Sequence, residues 1–274
     1  MIIKPETFLE WKTKRITLLG MSGVGKTTLA NKLSACKWFH YSGDYRIGAN
    51  YLRKAILEDL RNRAVAPASN SVDTELHITK DDLSAVTNYL GKIGDQSLGG
   101  LSVEAFKKRQ ALHRQAEIAA MKDVPDFIQK SMDTYGCLHF LNDAGGSLCE
   151  LESPETIDIL AEHTVLVYIR TNQEMEQMLL ERARKHPKPM YYREAFLDEK
   201  LSEFMALKGY SSPARMPPDE FVLWVFPELF RSRLPRYQAI ADEFGYTVDA
   251  GDVTRVRGET DFIGLIADAI AARR

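Results

Sequence analysis

Few cysteines, no long apolar run and almost no net charge are what this 274-residue chain first shows by absence. Cys36, Cys137 and Cys149 are odd in number and lack metal-ligand spacing. That argues against a disulfide framework and for small buried hydrophobes in a reducing compartment. No stretch approaches the roughly 20 apolar residues of a membrane-spanning helix, so no membrane partner is expected. A formal net charge of −2 supplies no basic field for a nucleic-acid backbone, and clusters such as Lys107-Lys108-Arg109 read as solvated helix faces. Residues 1–15 alternate apolar and charged types without the apolar core of a signal peptide, so a soluble, cytoplasmic protein is expected. There is no internal repeat, no low-complexity segment and no signal of oligomeric state.

What is present is a phosphate-binding pattern. Gly20-Met21-Ser22-Gly23-Val24-Gly25-Lys26-Thr27 is a complete G-x-x-x-x-G-K-[ST] loop, preceded by a β-prone apolar run and followed by Thr28 and a helical pattern, Leu29, Ala30, Leu33. Glycines at 20, 23 and 25 let backbone N–H groups turn inward around a phosphate at a helix N-terminus. Lys26 would reach the β- and γ-phosphates and the Thr27 hydroxyl would ligate Mg2+. The expected partner is a nucleotide triphosphate, ATP with Mg2+.

Around that loop, strands and helices alternate. The spacing predicts a strand over 15–19, a helix to about residue 35, and a second strand through Trp38-Phe39-His40-Tyr41 ending at Ser42-Gly43-Asp44. Helices follow over 45–63 and, with Thr79 as N-cap, to about residue 90. A polar break covers 64–74, and the Gly-rich connector 91–100 reads as a lid or a surface loop. A helix over 103–121 is interrupted at Pro125 and resumes to about 132. Residues 136–141 read as a buried strand ending in Asn142-Asp143, ahead of Ala144-Gly145-Gly146-Ser147. Ser153 starts a helix over 154–162, 165–169 is a buried strand, and Thr171 with Glu174 forms a capping box for a helix to 185. A basic tract then runs through Arg182, Arg184, Lys185, His186 and Lys188. Further helices are expected at 193–207 and at 219–244, the latter broken at Pro227 and Pro235, with a last strand at 245–249 and a helix at 261–272.

This constellation resembles the small P-loop kinases: shikimate kinase, adenylylsulfate kinase and the nucleoside monophosphate kinases. The stretches HYSGDYRIG and KPMYY are also similar to bacterial P-loop ATPases. Gly43-Asp44-Tyr45-Arg46-Ile47-Gly48 looks like the G-D-N-x-R-x-G segment of adenylylsulfate kinase, with Tyr45 in place of Asn. Asp143-Ala144-Gly145-Gly146 is partly similar to the acceptor loop of shikimate kinase, one glycine and a downstream arginine short. The resemblance implies an α/β, three-layer P-loop kinase-like fold with a mainly parallel five-stranded sheet and helical insertions. It implies one domain over 1–274, a helical insertion at about 64–130 and a lid-like basic segment at about 182–193. Strand one would lie between the strands ending at Asp143 and Ile169, which puts the loop at the topological switch point.

Phosphoryl transfer needs positioning and charge neutralisation, so each candidate has a part to play or a plainer role. Asp44 would orient or deprotonate an acceptor hydroxyl, or it caps the helix at Tyr45. Arg46 would bind an acidic acceptor group, or it faces solvent. Asp143 would hold Mg2+ with Thr27, or it forms a turn. Gly145 and Gly146 would let the acceptor approach backbone, or they make a plain turn. Arg182 and Arg184 would clamp the transferring phosphoryl group, or they complement the helix dipole. Two function classes stand: a kinase moving the γ-phosphoryl group of ATP to a small-molecule or nucleotide hydroxyl, and an ATPase acting as a switch or accessory protein. A nucleic-acid-directed kinase is a third, disfavoured by the charge.

Overall fold

The computed structural model describes residues 3–64, 78–79 and 83–273. Five strands, β1 (Arg15–Leu19), β2 (Trp38–Ser42), β3 (His139–Asp143), β4 (Val165–Arg170) and β5 (Gly245–Asp249), pair in the order β2-β3-β1-β4-β5. Every pairing is parallel. The fold is therefore α/β with a parallel five-stranded sheet. β1 sits between β3 and β4, and the loop leaving β1 emerges at the point where the strand order reverses.

Parallel strands joined through helices are covered on both faces, so their residues are apolar in near-continuous runs instead of alternating. Ile16, Leu18 and Leu19 in β1 and Leu166 and Ile169 in β4 are fully buried. A row of hydrogen-bonded polar side chains crosses this core. Asn142 Nδ2 donates to Thr17 Oγ1 (3.2 Å), which pairs with Thr164 Oγ1 (2.7 Å), which donates to the Leu160 carbonyl (2.7 Å). Because the Thr164 proton goes to the Leu160 carbonyl, Thr17 must be the donor between the two hydroxyls. Each such bond is worth about 1 kcal/mol net, and a register slip of β3 against β1 would leave buried donors unpaired.

The chain divides into two compact units. One comprises Met1–Gly43, Met121–Lys185 and Pro227–Arg274 and contains the sheet; the other comprises Asp44–Ala120 and His186–Phe226. Within the second, the connector after the helix Ser84–Leu90 is a pinned turn. The Asp95 amide donates to the Met216 carbonyl (2.8 Å) and the Gly94 amide to the Leu101 carbonyl (3.1 Å). Of the helix expected to open at Thr79, residues 80–82 lie outside the described set, as does most of the polar break.

Three local expectations are corrected. The helix after the loop spans Lys26–Ala30 only. It tightens into i→i+3 bonds from Lys32 to Leu29 and Leu33 to Ala30, and the Ser34 carbonyl then turns the chain into β2. The capping box is replaced by Asn172, whose Oδ1 accepts from the Met175 amide (2.8 Å) at the start of the helix Gln173–Lys185; asparagine caps as well as threonine. Pro227 and Pro235 do not break their helix, which runs through Pro218–Phe244. A proline deletes one hydrogen bond and kinks the axis, and here the buried Leu229, Phe230, Arg233 and Tyr237 hold the turns beyond Pro227 against the core.

Candidate functional site

The site in the first unit is built at the carboxyl end of β1. From Leu19 the chain enters the loop through Gly20 (φ +140°), Gly23 (φ +91°) and Gly25 (φ +100°), the last being the N-cap of Lys26–Ala30. At Gly20 the need for glycine is steric as well: a β-carbon there would lie 3.0 Å from the Ile169 carbonyl oxygen in β4. Met21 and Val24 are buried and anchor the loop, while Ser22, Gly23, Thr27 and Thr28 are exposed on its open side.

Lys26 is 6% exposed, and its Nζ donates to the carbonyls of Gly20 (2.8 Å) and Met21 (3.2 Å), so the ammonium is held inside the loop it closes. The Thr27 hydroxyl donates to Asp143 Oδ2 at 2.5 Å. Asp143 is the last residue of β3, opposite Ser42 of β2 and Leu18 of β1. His40, two residues before Ser42 and on the same face of β2, brings its Nε2 to 3.7 Å from the same carboxylate oxygen. Burial would push the Asp143 carboxyl up. His40, the Lys26 ammonium and the Thr27 hydroxyl more than offset it and hold the group below the usual carboxylate range.

Behind Asp143, the loop through Gly145 and Gly146 lies against the phosphate loop. A β-carbon on Gly146 would be 2.8 Å from the Ser22 amide nitrogen, and one on Gly43 would be 3.4 Å from the Gly145 nitrogen. The Arg233 Nη1 donates to the Gly146 carbonyl (2.9 Å). Arg182, near the end of the helix Gln173–Lys185, reaches the phosphate loop from the other side: a β-carbon on Gly23 would be 3.6 Å from its Nη1. Arg184, two residues on, is exposed, as Arg182 is.

Asp44 and Arg46 belong to the second unit. They lie in a helical turn, Gly43–Arg46, that follows directly on β2 and passes into a π-helix, Ile47–Tyr51. Arg46 stacks over the Tyr51 ring, 5.5 Å from its centre. Gly48 is closely packed: a β-carbon there would be 2.2 Å from Val86 Cγ2, so the Val86 side chain would have to move. The basic tract is divided: Arg182, Arg184 and Lys185 end a helix of the first unit, and residues 186–193 begin the second half of the other. Its far end is fixed within that unit by Gln110, which accepts from the Tyr192 amide (2.8 Å) and donates to the Met190 carbonyl (3.2 Å).

In the first unit, then, the fold gathers the phosphate loop, Asp143, Gly145, Gly146 and Arg182. Sequence reasoning missed His40, Arg233 and Glu150. His40 could have been found from its two-residue offset to the strand end. The arginine could not, because its partner lies 87 positions away.

The geometry defines a P-loop α/β fold. No family model and no curated protein matches the chain. Among solved structures it is similar to shikimate kinase from Bacteroides thetaiotaomicron, at 14% identity and a TM-score of 0.40 over 94% of each chain. It is also similar to shikimate kinase from Acinetobacter baumannii in complex with shikimate, at 15% identity and a TM-score of 0.38 over 89% of this chain and 86% of that one. Among the described residues no helix is long and apolar enough to cross a membrane, and no cluster of three or more His, Cys, Asp or Glu side chains is placed to hold a metal.

Proposed function

We propose that the chain is an ATP-dependent phosphotransferase that moves the γ-phosphoryl group of ATP to a hydroxyl of a small molecule or nucleotide. The observation that carries the reading is the arrangement of Lys26, Thr27 and Asp143: an ammonium held inside a glycine loop, beside a hydroxyl in contact with an ionised carboxylate. Such a loop binds phosphate oxygens through backbone N–H groups, and its lysine neutralises charge on the transferring group.

The donor set fits magnesium. Thr27 Oγ1 and Asp143 Oδ2 are hard oxygen ligands, and magnesium is commonly held by one or two protein oxygens while phosphate and water complete its shell. Bound there, magnesium would neutralise charge on the β- and γ-phosphates. Thr27 and Asp143 would hold it, Asp143 directly or through water, and His40 would orient the carboxylate.

Asp44 would orient or deprotonate the acceptor hydroxyl, and Arg46 would bind an acidic group on the acceptor. Gly145 and Gly146 would let it approach backbone. Arg182 and Arg184 would bring guanidinium charge to the phosphoryl group as a lid over bound nucleotide. Use of ATP and three free thiols fit a cytoplasmic setting.

The test is to incubate purified protein with magnesium and γ-labelled ATP against pools of hydroxyl-bearing small molecules and nucleosides. Label recovered on an acceptor supports the phosphotransferase. Label released only as inorganic phosphate, unaffected by any pool, supports hydrolysis, and an absence of turnover removes both.

A further inference from the structure

Glu150 is completely buried, and two arginines from the helix Pro218–Phe244 face it: Arg233 Nε and Arg236 Nε each lie 3.8 Å from its Oε1. Arg233 is itself 5% exposed. Its guanidinium is a fork, so while one edge faces Glu150, Nη1 donates to the Gly146 carbonyl at 2.9 Å. Gly146 in turn fills the space against Ser22, where a β-carbon would meet the Ser22 nitrogen at 2.8 Å, its Cβ at 3.0 Å and its Cα at 3.2 Å. A chain of contacts thus runs from a buried carboxylate through one arginine to a glycine carbonyl and on to the backbone of the phosphate loop.

We propose that Arg233 is a positioning residue for nucleotide binding: anchored by Glu150, it fixes the Gly145-Gly146 loop against Ser22 and so sets the direction of the phosphate-loop N–H groups. The physical need is plain. A loop with left-handed glycines at 20, 23 and 25 has many accessible backbone states, and each N–H aimed at phosphate must be held before the ligand arrives if binding energy is not to be spent on ordering it. Glu150 supplies rigidity, because a carboxylate this deeply buried is strongly unfavourable unless it is paired, and of its two arginines Arg233 is the buried one, whose own charge needs the carboxylate in turn. This inference rests on the phosphate loop being the nucleotide site, yet part of its test needs no nucleotide.

Two variants avoid leaving Glu150 stranded. Arg233→Lys keeps the charge but loses the fork, and Arg233→Gln combined with the isosteric Glu150→Gln removes both charges of the pair. Hydrogen exchange in nucleotide-free protein should be faster in peptides covering 20–25 and 144–147 in both, with β1 and β4 as protected as in the parent. Affinity for a non-hydrolysable ATP analogue with magnesium should fall about tenfold in both. Gly146→Ala, which pushes on Ser22 directly, should give a comparable loss. Joined to Arg233→Lys it should add little, since the two act through one contact. Unchanged exchange in those peptides, or affinity losses that add in full, would overturn the proposal. If the parent protein binds no nucleotide, the kinase reading fails and hydrogen exchange alone decides the role of Arg233.

Discussion

Thr27 and Asp143, 116 positions apart in sequence, are joined by a 2.5 Å hydrogen bond from hydroxyl to carboxylate. This bond ties the first turn after the phosphate loop to the end of β3. It works because β3 pairs with β1 in register, Leu18 opposite Asp143, so the carboxylate emerges beside the loop that β1 feeds. A second tie comes from β2, whose His40 approaches the same oxygen. Three neighbouring strands thus contribute to one oxygen-rich corner.

The first expectation concerns acid stability. Asp143 is held below its ordinary range in the fold, so its ionised form stabilises the native state. That contribution is fully present above the unfolded value of about 3.9 and is lost as pH falls through the folded value. Melting temperature should therefore drop more steeply on acidification below about pH 4 in the parent than in Asp143→Asn. Superimposable acid limbs would mean that the carboxylate is not held ionised by the fold.

Lys26→Met should abolish turnover while the protein stays folded. Its ammonium bonds to two loop carbonyls, so removing it forfeits about 1–2 kcal/mol. The loss on the phosphates is larger, a fall of at least about 100-fold in kcat, because charge aimed at the transition state is removed. The check is to measure kcat beside a melting curve; a variant with near-parental kcat would take the loop out of the chemistry.

The two arginines at the end of the helix Gln173–Lys185 should behave differently. Arg182 reaches toward Gly23, whereas Arg184 is two residues on and points to another face of the helix. Arg182→Ala should lower kcat by at least about tenfold, or about 1.4 kcal/mol, with a smaller change in ATP affinity. Arg184→Ala should cost little by comparison. Equal losses, or a loss in KM alone, would remove Arg182 from the phosphoryl group.

Much of this site could be read from sequence because its signals are local. The phosphate loop needs its glycines, lysine and threonine within eight residues, and the strand ends at Ser42 and Asp143 are marked by apolar runs that stop at polar residues. Five parallel strands, with β1 between β3 and β4, followed from that alternation together with the family likeness. What could not be read depends on long-range pairing. Arg233 lies on a helix whose sequence is punctuated by prolines, and nothing in sequence pairs it with Glu150 or Gly146. The short helix Lys26–Ala30 was overextended because Leu33 kept the helical spacing; it is buried all the same, from a tighter turn. Gln110, a polar residue within a charged helix, proved to hold the backbone of Met190 and Tyr192, a role that periodicity does not signal.

The last expectation separates transfer from hydrolysis and turns on Asp44. It follows Gly43 at the carboxyl end of β2 and belongs to the second unit, whereas Lys26, Thr27 and Asp143, which would bind the nucleotide, belong to the first. If it serves an acceptor hydroxyl, Asp44→Asn should remove acceptor-dependent transfer while leaving the affinity for ATP with magnesium within about twofold of the parent. Asp143→Asn should do the reverse, weakening metal-dependent nucleotide binding first, because its carboxylate is the partner of Thr27. Isothermal titration with a non-hydrolysable analogue, beside label transfer to the best acceptor, reads both quantities on the same preparations. In a hydrolytic switch Asp44 has no acceptor to serve, so Asp44→Asn would consume ATP at the parental rate. Full transfer by Asp44→Asn to a true acceptor would likewise take the carboxylate out of the chemistry, and the acceptor would then have to be activated from elsewhere.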